Sequence, residues 1–100
     1  MGLVLLQKTI VATGVAEPLS ASSVKCTQVI IQNDRESAAK CRIGDANVSA
    51  TVGIELVKPT ADQQLPSISI DGKGGDVLDL AEIYVCGTKD DLLDILYEVY

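Results

Sequence analysis

The chain contains no histidine, no tryptophan and no phenylalanine, and its only aromatic residues are Tyr84, Tyr97 and Tyr100. Without histidine, Ser-His and Cys-His nucleophile relays, imidazole-held metals and the ordinary base at neutral pH are all excluded. Three rings are too few for the stacking platforms that readers of single-stranded nucleic acid use. Cations are scarce too: 8 basic residues stand against 14 acidic ones, a net charge of −6 over 100 residues. Phosphate backbones and anionic lipid surfaces attract clustered cations, so neither nucleic acid nor a membrane is expected as a partner. Cys26, Cys41 and Cys86 are odd in number, widely spaced and without a CxxC pair. They spell neither a zinc cage nor a disulfide framework and read as buried reduced thiols, with a single bridge such as Cys26 to Cys41 left open. Long apolar runs are missing as well. Leu3 to Leu6 is cut short by Gln7 and Lys8 and has no basic segment before it, so it reads as a strand rather than a leader or a membrane span. Leu6 stands where a myristoylation signal needs Ser or Thr, and synthesis in a reducing cytosol is expected.

What the sequence does have is a series of short β-branched runs divided by Gly, Pro, Asn, Asp and Ser, which is the rhythm of an antiparallel β-sandwich. A chain of this length suits one domain, residues 1–100, burying about two-thirds of its unfolded surface. Three runs alternate: Cys41 and Ile43 against Lys40 and Arg42; Val52, Ile54 and Leu56 against Gly53 and Glu55; Ile68 and Ile70 against Ser67 and Ser69. Each is expected to bury one face. Leu3 to Leu6 and Val29 to Ile31 are apolar on both faces and are expected to be central or interface strands. Between Val77 and Cys86 the apolar phase slips, which calls for a bulge or a change of sheet near Ala81-Glu82. Ser37 to Lys40 could form one helical turn. At the C-terminus, Thr88 with Asp91 resembles a capping box, and Leu92, Ile95, Leu96, Val99 and Tyr100 recur at helical spacing. A strand there would instead place Leu93, Ile95, Tyr97 and Val99 on one face.

Residues able to carry chemistry are few. Asp90, Asp91 and Asp94, or Asp71 and Asp76, could pair as carboxylates, but a glycosidase cleft needs aromatic walls that this chain lacks. The segment DGKGGD (71–76) has neither the GK[ST] ending of a phosphate loop nor the acidic spacing of an EF-hand, and reads as a hairpin whose aspartates could at most attract a hard cation. Asn47-Val48-Ser49 is formally a glycosylation sequon. No catalytic, cofactor-binding or metal-ligating residue is assigned, no cofactor is expected, and the protein is not expected to be an enzyme.

The segments CRIGDANVSATVGIELVKP (41–59) and LDLAEIYVCGTKDDLLDILY (78–97), with PLSASSVKCTQVIIQND (18–34) before them, resemble small virion structural proteins of tailed bacteriophages, of the capsid decoration or cement type. Gly44, Asp45, Val48, Gly53, Leu56, Leu80, Tyr84, Gly87 and Tyr97 are among the matching positions. The pattern departs at Pro59, followed by Thr60 rather than Gly and by an Ala-Asp-Gln-Gln insertion, and at Leu92-Leu93, where a more polar turn is usual. These are turn and core positions, which report a fold more than an activity. The resemblance implies a jelly-roll-like sandwich of about eight short strands, with residues 89–100 a strand. It implies a homo-oligomer, in the first place a trimer, that binds the major capsid protein on the outer surface of the virion. A tail or head-fibre binding module, with Tyr84, Tyr97 and Tyr100 as its available rings, is the alternative.

Overall fold

The computed structural model describes residues 2–60, 65–72 and 77–100, and within them the chain is all-β. The strands among these residues are β1 (Leu3–Thr9), β2 (Glu17–Pro18), β3 (Lys25–Asn33), β4 (Cys41–Gly44), β5 (Ile54–Leu56), β6 (Ser67–Asp71), β7 (Leu78–Asp79), β8 (Tyr84–Cys86) and β9 (Leu92–Val99), with a 3₁₀ turn at Leu80–Glu82. Sheet A runs β1-β9-β3-β6, with β7 paired to the start of β3; sheet B runs β2-β8-β4-β5.

The order has a simple generator. β1 pairs with β9, β2 with β8, β3 with β6 and β7, and β4 with β5, all antiparallel. The chain is one long hairpin whose rungs fall alternately in sheet A and sheet B, and rolling it up adds the pairs β3 with β9 and β4 with β8. This is a jelly roll, two antiparallel sheets packed face to face.

The inward residues of both sheets form the core: Val29, Ile31, Leu93 and Ile95 from sheet A meet Cys41, Ile43, Leu56 and Val85 from sheet B, with Ile10 and Leu80 filling the ends. Alternation holds in β4 and β6 as the sequence predicts. In β3 the register on β9 shifts between Cys26 and Gln28, a bulge at Thr27 that lets Cys26 and Val29 both face inward. The phase slip after Val77 is a change of sheet: β7 lies in sheet A, the chain turns through Leu80–Glu82, and β8 enters sheet B. Asp79 starts that turn by accepting from the Ala81 amide at 2.9 Å.

The C-terminal segment is a strand over Leu92–Val99. Its helical spacing loses to tertiary pairing, because β9 lies between β1 and β3 and hydrogen-bonds to both. The Thr88 to Asp91 motif is a turn, closed by the Asp91 amide donating to the Thr88 carbonyl, with Asp90 at φ 73°. Other expectations are corrected. Val52 and Ile54 are exposed, at 59% and 58%, because β5 is an edge strand that begins only at Ile54, and Leu56 alone reaches the core. Val29 to Ile31 is central as expected, while Leu3 to Leu6 lies at the rim of sheet A and not at its centre. Ser37 to Lys40 is not helical; the turn falls earlier, where the Ser37 amide donates to the Asp34 carbonyl. The Ala-Asp-Gln-Gln insertion (61–64) and residues 73–76 of the DGKGGD hairpin lie outside the described residues.

Candidate functional site

The acidic surplus is used largely to hold turns. Glu17, at the start of β2, accepts from the Val11 amide at 3.0 Å, the Ala12 amide at 2.8 Å and Lys8 Nζ at 2.9 Å. Burial acts to raise its pKa, but those donors outweigh it and hold the carboxyl below its ordinary value. Asp79 accepts from Ser23 Oγ at 2.6 Å, the Val24 amide at 3.0 Å and the Ala81 amide, and Ser23 foremost holds its pKa well down. Asp91 receives the Ala38 and Ala39 amides on its two oxygens at 2.9 and 3.1 Å. Beside it Ser37 Oγ donates to the Leu92 carbonyl and accepts from the Leu92 amide, closing the gap between the 34–39 loop and β9 as a strand neighbour would. Buried Asn33 donates to the carbonyls of Ala39 and Val57.

The aspartates that could have paired therefore do not converge. Asp91 turns inward to the loop, Asp90 occupies a left-handed turn position, and Asp94 points outward from β9, where it accepts from Gln7 Nε2 at 3.1 Å. Asp71 ends β6, and Asp76 lies outside the described residues. Asp94 meets Asp34 instead. Burial and the shared hydrogen bond raise the Asp94 carboxyl, while that same bond and the Glu36 amide at 2.8 Å lower Asp34. All three cysteines are free and buried. Burial first, then the Asp91 charge and Cys86, push the Cys41 thiol up to about 12, the opposite of an activated nucleophile. The tyrosines are dispersed: Tyr97 packs against the core, Tyr84 lies on β8 in the other sheet, and exposed Tyr100 follows the end of β9.

What the fold does assemble is the outer face of sheet A. Register places Leu5 beside Leu96, Leu96 beside Ile30 and Ile30 beside Ser69, one row across four strands. Leu5 is 75% exposed and Ile30 38%, and Leu3, one row away, is 68% exposed. Flanking rows carry Glu98 with Gln28 on one side and Gln7, Asp94 and Gln32 on the other. An apolar centre rimmed by amides and carboxylates is the layout of a protein-docking surface. Sequence reasoning flagged the two-faced runs but missed this row, because the row exists only once register is known.

The fold and face define a jelly-roll domain with one apolar outer sheet face. No family model, curated protein or solved structure matches the chain.

Proposed function

We propose that this protein is a capsid decoration, or cement, subunit of a tailed phage: a non-enzymatic virion protein that docks on the major capsid protein from outside and stabilises the assembled head. The observation that carries the reading is the Leu5–Leu96–Ile30 row, core-type side chains on the outer face of sheet A, with Leu5 and Ile30 exposed and Leu96 half-buried between them. The resemblance of residues 41–59 and 78–97 to decoration proteins supports it. The mechanism is mass action: a subunit that binds only the assembled shell stabilises that shell, and many repeated contacts make the gain cumulative. For symmetry, the resemblance implies a trimer, while the open rim of sheet A suits a two-fold pair.

Co-sedimentation of the purified protein with assembled, undecorated heads tests the proposal. Saturable binding to heads, absent from unassembled capsid protein and lost in Ile30→Lys, is the expected result. Heads that never bind the wild-type chain would refute it.

A further inference from the structure

β1 is the open rim of sheet A, and it lacks the devices that keep such rims solitary. Of the other rims among the described residues, β2 has two residues and contains Pro18, β5 has three residues, β7 has two, and β6 has five and ends in Asp71. β1 runs for seven residues without proline or bulge, and its one charge, Lys8, is engaged by Glu17 at 2.9 Å.

The hydrogen-bond phase of β1 is fixed. The Val99 amide donates to the Gly2 carbonyl and the Ile10 amide to the Asp91 carbonyl, both at 2.9 Å. Antiparallel ladders alternate, so even-numbered residues of β1 bond towards β9, while Leu3, Leu5 and Gln7 turn their N–H and C=O groups to the open side. We infer that β1 pairs with β1 of a second copy of this chain, antiparallel about a two-fold axis at Leu5. That register sets Leu5 against Leu5 and Leu3 against Gln7 in both directions, satisfying about six outward backbone groups on each copy. It brings Val4 beside Leu6 on the inner side, and Val4 is 37% exposed in the single chain. It also joins the two Leu5–Leu96–Ile30 rows end to end. A second copy suits this rim because Leu3, Leu5 and Gln7, the residues that meet across it, are uncharged and self-complementary, whereas the whole chain carries a net −6. Screening of that repulsion makes the pair tighter at higher salt. The inference deepens the decoration reading by doubling the docking face, yet it concerns the purified chain alone.

The test is sedimentation equilibrium of the full chain and three variants, with circular dichroism and thermal unfolding to follow the fold. Leu5→Pro deletes an N–H that faces away from β9, so it spares the β1–β9 ladder. Leu5→Lys sets two charges against each other at the axis. Both are expected to remain folded and to weaken dimerisation by about a hundredfold or more, whereas Ile30→Lys, two strands from the rim, keeps the dimer while losing heads. A wild-type chain that stays monomeric, a trimer, or a dimer indifferent to both Leu5 changes would overturn the pairing, and none of these depends on whether heads are bound.

Discussion

Asp91 shows at the scale of one residue why an acidic chain need not be a catalytic one. Its two oxygens take the Ala38 and Ala39 amides, and removing them leaves two backbone donors without partners in a site where Asp91 is 6% exposed. Asp91→Ala is expected to cost about 1–3 kcal/mol, read as a lowered urea midpoint. The lowered carboxyls set the acid limit. Glu17 and Asp79 lie below their ordinary values of 4.5 and 3.8 in the folded state, so the stability they contribute is complete above those values and is lost as pH falls through the folded pKa values. Asp94 runs the other way: its raised carboxyl favours the folded state on the acid side and gives that up as pH rises. With Glu17, Asp79 and the Asp34 partner of Asp94 all lowered and Asp94 alone raised, urea midpoints are expected to fall between about pH 5 and about pH 2, not to rise.

Elements were legible where their neighbours left no choice. β4 and β6 alternate because each buries one face, and the slip between Leu80 and Ile83 marked the crossing from sheet A to sheet B. Val52 and Ile54 misled because alternation reports which way a side chain points, not whether anything covers it, and β5 lies at a rim. The anchors at Glu17 and Ser37 carried no local signal, since each serves a turn that another segment brings to it, and Asp79 adds to its local cap on Leu80–Glu82 the bonds from Ser23 and Val24 that only the fold supplies. Glycines mark the tight packing of elements. A Cβ at Gly87 would lie 2.6 Å from Ile10 Cδ1 and 3.1 Å from Cys41 Cβ, where β8 leaves the sheet against β4. Gly87→Ala is expected to destabilise by about 1–3 kcal/mol through overpacking, seen as a lower melting temperature. Gly53 combines φ +135° with a Cβ position 2.6 Å from Val48 Cγ2, so Gly53→Ala should be at least as damaging to the β4–β5 hairpin.

For the whole molecule, the decisive feature is where core-type side chains remain uncovered. A jelly roll buries the inner faces of its two sheets, and the outer faces need no leucine or isoleucine for folding. Ile30→Lys is therefore expected to change folding stability by no more than about 0.5 kcal/mol while abolishing attachment to heads. Its separation of docking from folding distinguishes an interface from a misplaced core residue. A three-dimensional reconstruction of heads saturated with the purified chain tests the docking face most directly. The predicted map shows one jelly roll at each occupied position on the outside of the shell, with β1, β9 and β3 turned towards the capsid protein. A map of bare shells, or one in which sheet A faces solvent, would contradict the proposal.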